Sequence, residues 1–396
     1  RLSTRKIVWS RPRRQPVLLI DPSGSEILSQ FIAIESVEIL DFEETNIWVF
    51  ARTILKRQFS TTAYAVAYVE STRPKVVLTF IDNDVNFYKL KSLCPQTKFV
   101  SVQNGLRASY SGVQSGGFFD QLSKVVNEVE LSSDYLCVFG SASAGQFTKF
   151  IKTDTVTVGS LKNNLFSASS SSLTQNFDVV LISQYPPFSV HDAARRIYFC
   201  DKYISLLDFY RVESTVAFLV AQYCAAKNLS FVVCGKRSHT DSDEQKFFAD
   251  SINALPWSYE PKNSAHSTYE RANSAQLIVS IDSAVGYEFL ARGKRVAFIS
   301  GRTQAADGVG LAQVRDTNFG YPLDLSPTGT FWTNHATEPE MTRVLDYLLS
   351  VTDEQWAAEI AQYNESLMAY QPGNPVFKKL LLDLGLALND GVNTDA

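Results

Sequence analysis

The chain has 396 residues, an apolar fraction of 45% and a net charge of −4 with 20% charged residues. That length exceeds what one hydrophobic core usually serves, so two domains are expected, and the weak acidity argues against a global electrostatic footprint for nucleic acid. Five scattered cysteines (Cys94, Cys137, Cys200, Cys224 and Cys234), odd in number and mostly set in apolar runs, argue against a disulfide framework or a zinc cluster and point to a reducing compartment.

The amino terminus crowds Arg1, Arg5, Lys6, Arg11, Arg13 and Arg14 into one short segment. Such an arm suits an anionic membrane surface and, equally, a solvated terminus. No apolar run approaches the roughly twenty residues needed to span a bilayer, and no signal peptide pattern is present, so a soluble or peripheral protein is expected. The start at Arg and the polar tail fit one part of a longer polypeptide.

The first half alternates short apolar strands with helical stretches, the pattern of a parallel sheet wrapped by helices. Predicted strands are Pro16–Ile20, Ile47–Phe50, Val76–Ile81, Phe99–Val102, Tyr135–Phe139 and Thr155–Val158, with helices at Thr62–Ser71 and Phe87–Leu93. Polar clusters follow several strands: Asp21 in LIDPSG, then Asp82, Asn83 and Asp84 in TFIDNDVNF, then Gln103, Asn104 and Arg107 in SVQNGLR. Carboxylates on that rim could serve as general base toward an acceptor hydroxyl, and the amides could orient a sugar. Equally, the aspartates could cap the following helices. Gly159 and Ser160 in VGSLKNN close this half, and the serine-rich Phe166–Asn176 reads as a linker.

The second half opens with strand Val179–Ser183 in ISQYPPF, whose Ser183, Gln184 and Tyr185 could touch donor or acceptor, unless Pro186 and Pro187 only turn the chain. A helix at Ser214–Lys227 leads to strand Ser230–Cys234, which ends in CGKR. Lys236 and Arg237 could neutralise a phosphate or carboxylate, or be solvated surface charges. Cys234 could be a nucleophile if neighbouring cations lowered its pKa, although most such cysteines are buried apolar residues. A helix at Glu244–Ile252 and the loop PKNSAHSTYE follow; His266 in that loop could donate a proton to a leaving phosphate or be merely exposed. His191, His239 and His335 have weaker cases, and without a spaced ligand set a metal site is not expected.

The most informative stretch is LIVSIDSAVGYEFLARGKRVAFIS: strand Leu277–Ile281, a small-residue turn (Asp282, Ser283, Ala284, Gly286), a helix at Val285–Arg292 and strand Arg295–Ile299. Amides at a helix start lack internal partners and carry partial positive charge, so this turn can receive a phosphate, and Glu288 could accept from ribose hydroxyls. Helices Asp353–Ala369 and Pro375–Leu388 end the chain. The expected architecture is α/β, with two facing Rossmann-like domains: residues 1–165, a linker at 166–177, residues 178–350, and carboxy-terminal helices and tail at 351–396 packing across both. A GxGxxG, a Walker lysine in register with a strand and a GxSxG elbow are all lacking, which lowers the case for dehydrogenase, P-loop or α/β-hydrolase chemistry.

Read together, SVQNGL, VGSLKNN, ISQY, the CGKR strand end, DSAVGYEFLARGKRVAF and the late FWTN with DEQW resemble bacterial GT-B glycosyltransferases of surface-polysaccharide assembly. The likeness is closest to retaining transferases that move Kdo from CMP-β-Kdo onto a lipopolysaccharide or capsule glycan. It implies that Ser283, Ala284 and Gly286 hold the phosphate, Glu288 the ribose, and Lys236 and Arg237 the phosphate or the sugar carboxylate. It further implies a lipid-linked glycan acceptor met at the first domain, no cofactor or metal, and a cytoplasmic enzyme peripheral to the inner membrane. Retention by double displacement calls for a nucleophile, normally a carboxylate, at the strand end that here carries Cys234. Either the nucleophile lies elsewhere, with Asp282 or an amino-terminal aspartate such as Asp82 as candidates, or a carboxylate has been replaced. A UDP- or GDP-sugar transferase, a sugar-nucleotide epimerase and a non-catalytic carbohydrate-binding protein are the competing readings.

Overall fold

A computed structural model of the chain describes residues 6–107, 117–166, 177–185, 196–199, 202–238, 242–264, 266–302 and 317–389. His191, His239, Pro186, Pro187, most of the expected linker and the first two arginines of the basic arm lie outside them. The chain forms two compact units, one of residues 1–105, 121–165 and 371–396 and a second of residues 106–120 and 166–370.

The strands of the first unit are β1 (Lys6–Val8), β2 (Val17–Ile20), β3 (Val37–Leu40), β4 (Glu44–Asn46), β5 (Val76–Thr79), β6 (Lys98–Val102), β7 (Ser132–Val138) and β8 (Lys152–Thr157). Six of them form a parallel sheet in the order β3-β2-β5-β6-β7-β8. Tetrads such as VLLI and VVLT, apolar but for Thr79, are buried throughout, as strands covered by helices on both faces must be. The predicted strand Ile47–Phe50 is instead the start of a helix, Ile47–Leu55, because Asn46 caps it by accepting from the amides of Trp48 and Val49. The strand position beside β2 belongs to Val37–Leu40, which the alternation did not reveal.

The strands of the second unit are β9 (Val179–Ile182), β10 (Arg196–Phe199), β11 (Lys202–Ser205), β12 (Phe231–Cys234), β13 (Ser258–Glu260), β14 (Leu277–Ser280), β15 (Val296–Ile299) and β16 (Trp332–Thr333). Its parallel six-stranded sheet runs β13-β12-β9-β14-β15-β16, a Rossmann order in which the chain works outward from β9 in one direction and then from β14 in the other. The carboxyl ends of β9 and β14 therefore border a topological switch point, where open α/β sheets bind ligands.

The carboxy-terminal helices divide between the units. Helix Asp353–Leu367 belongs to the second, where the Trp356 indole donates to the Gly293 carbonyl at 2.8 Å. Helix Pro375–Asp383 returns to the first, burying Phe377 and Leu381 in the core that contains Val17, Leu19 and Phe31. A boundary at residue 351 thus gives way to one at 370/371, and Phe166, expected in the linker, is a buried part of the second unit. Among the described residues no helix is long and apolar enough to cross a membrane.

Candidate functional site

At the switch point of the second unit, the loops after β9 and β14 are tied together. The Gln184 side-chain oxygen accepts from the Asp282 amide at 3.0 Å. Behind them Arg302, which follows β15, is 1% exposed and grips Asp282 through both carboxylate oxygens, at 2.5 and 2.9 Å. Arg302 also donates to Glu213 at 2.8 Å and to the Phe209 carbonyl at 3.1 Å, and its guanidinium lies over the Phe209 and Tyr210 rings. Glu213 is fully buried, and burial, opposed by Arg302, pushes its pKa up to about 7. One cation set between two carboxylates is stable there only because planar, bidentate and stacking contacts act together.

A second buried carboxylate shapes the CGKR loop. Glu244, 0% exposed in the first turn of helix Ser242–Ile252, accepts from the amides of Lys236 (2.9 Å) and Arg237 (2.8 Å), from Tyr259 Oη (2.9 Å) and from the Ser183 hydroxyl. Gly235 is required by this closure, because a Cβ there would stand 2.3 Å from the Tyr259 hydroxyl. The loop is thus tied at four donors to Glu244, with Lys236 exposed. Local desolvation, reinforced by Arg237 and Arg302, lowers the Lys236 pKa.

The turn after β14 is built as the residue pattern suggests. Ser283 caps helix Ala284–Ala291 by accepting from the Val285 amide, and Ser283, Ala284 and Val285 are half-exposed at its start. Gly286 acts differently from the phosphate contact expected of it: it is buried against β14, and a Cβ would meet Ser280 Oγ at 2.4 Å, so it permits close helix–strand packing. Glu288 is 6% exposed and accepts from the Tyr269 hydroxyl. His266 is exposed, its ring stacked 6.0 Å from Phe166. Gln184 is half-buried, whereas Tyr185, expected to meet the acceptor, is buried with its ring against Phe247.

Cys234 ends β12 beside this loop, but the nucleophile expected of it does not fit its surroundings. Its thiol is 2% exposed, and burial pushes the pKa up to about 12, leaving almost no thiolate at neutral pH. Iodoacetamide at neutral pH is accordingly expected to leave Cys234 unmodified in the native protein and to label it only after unfolding, as peptide mass spectrometry would read. Asp282, the other candidate, is committed to Arg302.

In the first unit, Asp82 is 0% exposed and accepts from the Asn104 amide at 3.0 Å, which removes it from reach of an acceptor hydroxyl. Asp84 caps helix Val85–Leu93 through the Asn86 amide, and partial burial, with a smaller contribution from the charge of Asp21, raises its pKa. Gln103 is a buried peg whose oxygen accepts from the Phe139 amide at 2.8 Å. Asn104 is exposed, and Arg107 is half-exposed in the segment assigned to the second unit. No group of His, Cys, Asp and Glu among the described residues could hold a metal.

Arg302, Glu213 and Glu244 are the site residues that sequence reasoning missed. A charged residue directly after an apolar strand, as in AFISGR, is the signal that could have found Arg302.

Two solved structures match at a TM-score of 0.50: a UDP-N-acetylglucosamine 2-epimerase, 11% identical over 94% of this chain and 97% of its own, and the wall teichoic acid polymerase TagF with CDPG, 10% identical over 94% and 90%. At that identity the likeness concerns the fold, an α/β GT-B architecture of two Rossmann-like units. No curated protein matches. Residues 100–384 match the model of a family described as "putative O-antigen biosynthesis protein", and the chain therefore belongs to that family.

Proposed function

We propose that the protein is a glycosyltransferase of O-antigen assembly that binds a nucleotide sugar at the switch point of its second unit. The observation that carries this reading is the joining of the β9 and β14 ends through Gln184 and Asp282, with the half-exposed helix start at Ser283 and Ala284 beside them. A leaving phosphate there would meet the positive end of that helix and the Lys236 ammonium. Arg302 offsets part of the Asp282 charge, which lessens the repulsion an approaching anion would feel. With these groups offsetting the leaving charge, the transfer needs no resident metal.

The donor in this reading is CMP-β-Kdo, transferred with retention to a lipid-linked lipopolysaccharide or capsule glycan on the inner face of the inner membrane; the donor, the acceptor and the location rest on the sequence resemblance. The fold is equally that of a UDP-sugar epimerase, so nucleotide choice is the discriminating measurement. Thermal unfolding with CMP, UDP and GDP is expected to show stabilisation by CMP above the others, since a ligand that binds only the native state raises its stability by RT ln(1 + [L]/Kd). Lys236→Ala should weaken that stabilisation about tenfold in apparent affinity, the loss of one charge-assisted contact of about 1.5 kcal/mol. Stabilisation by UDP alone would move the protein to a UDP-sugar enzyme. No effect of any nucleotide, together with glycan binding, would make it a carbohydrate-binding protein.

A further inference from the structure

Helix Ile47–Leu55 departs from ordinary surface patterning. It buries only Val49 and Thr53. Trp48, Ile54 and Leu55 are 46%, 46% and 83% exposed, and Phe59 just beyond the helix is 77% exposed. A water-facing helix normally shows polar residues there. Phe42, Phe50 and Phe59 line one cleft between the helix and the loop that follows it, together with the polar Glu44, Thr53 and Gln58.

The amino-terminal arm extends the same face. Strand β1 pairs in parallel with β4, the Trp48 indole donates to the Trp9 carbonyl at 2.7 Å, and the Arg11 guanidinium lies 4.5 Å above the Trp48 ring. Trp9 itself is 69% exposed. The charge around it is mainly positive, with Glu44 the carboxylate that lines the cleft. Residues 1–20 and 45–69 contain no acidic side chain, in a chain whose net charge is −4. Lys6, Arg13 and Lys56 pair with Glu44, Glu38 and Glu70. Arg11, Arg14 and Arg57 make no ion pair among the described residues.

We propose that this face, helix Ile47–Leu55 with Trp9 and the surrounding arginines, docks the protein onto the surface of an anionic lipid bilayer. Apolar and aromatic groups enter the headgroup boundary while the guanidiniums on long stems meet lipid phosphates. Charge segregation singles out an anionic bilayer over a neutral apolar partner. The inference gives the peripheral-membrane reading above its surface, and it rests on that reading.

The test is co-sedimentation with vesicles of phosphatidylcholine alone or of equal parts phosphatidylcholine and phosphatidylglycerol. The unaltered protein is expected to bind the anionic vesicles, to release them as salt rises, and to bind the neutral ones weakly. Arg11→Gln and Arg57→Gln should each lower the partition coefficient about fivefold, from about 1 kcal/mol per basic residue near such a surface. Leu55→Ser with Phe59→Ser should lower it at least about tenfold. These side chains are exposed, so the variants should keep their melting temperature and their nucleotide-induced stabilisation, which separates failure of this surface from failure of the nucleotide-sugar reading. Equal vesicle binding by all variants would place membrane contact elsewhere and overturn the proposal. Absence of vesicle binding by the unaltered protein would overturn both it and the peripheral reading. Dimers dissolved by Leu55→Ser without vesicle binding would assign the face to a second copy of the chain, against the proposal.

Discussion

Arg302→Leu is expected to lower the stability of the second unit by about 3–5 kcal/mol, the range for removing one partner from a buried charge cluster. The substitution leaves Asp282 and Glu213 facing each other without the guanidinium that both now touch. The deficit should depend on pH. Burial raises the folded-state pKa of Glu213 from 4.5 to about 7, so the folded protein holds a proton that the unfolded chain releases earlier. Stability from this group is therefore highest below the unfolded value, falls as pH rises between the two values, and levels off above the folded one. Arg302 is the main charge that holds the Glu213 pKa down; without it the falling window extends to higher pH. Urea unfolding at about pH 5.5 and about pH 8.5 should thus show a larger loss at the higher pH. A loss below about 1 kcal/mol at both would mean that the cluster behaves like a surface ion pair.

The second large effect concerns Glu244. Glu244→Ala would strand the Lys236 and Arg237 amides and the Ser183 and Tyr259 hydroxyls. Each unsatisfied buried donor costs about 1–3 kcal/mol, and with relaxation of the loop toward water a total near 4 kcal/mol is expected. Glu244→Gln keeps the shape but turns one acceptor oxygen into a donor facing donors, for a loss of about 2 kcal/mol. Because the loop that Glu244 holds carries Lys236 and Arg237, the glutamine variant should also lose about tenfold in nucleotide affinity by titration calorimetry, at a temperature where it remains folded. If Glu244→Gln binds nucleotide as the unaltered protein does, the loop geometry has no part in recognition.

Much of the fold was legible because parallel strands covered on both faces must be continuously apolar. VLLI, VVLI, FVVC and LIVS could hardly be anything else once separated by helical periodicity. Ile47–Phe50 misled for the same reason, being an apolar run whose helical state depends on one cap at Asn46. The turn from Asp282 to Ala284 was readable from small residues between strand and helix. The buried polar network was not, because its pairs lie 20, 89 and 61 positions apart and leave no local pattern. The same long-range contacts explain why Asp82 and Gln103, polar residues after strands, turned out to be internal pegs.

The first unit is assembled from segments on either side of residues 166–370, and its core counts Phe377, Leu380, Leu381 and Leu386 beside Val17 and Leu19. During synthesis those partners emerge only after residues 166–370. Until then the first core lacks those side chains, whereas residues 166–370 already hold nearly all of the second unit. Trimming the gene before position 371 would spare the compact insert and cripple the body into which it is threaded.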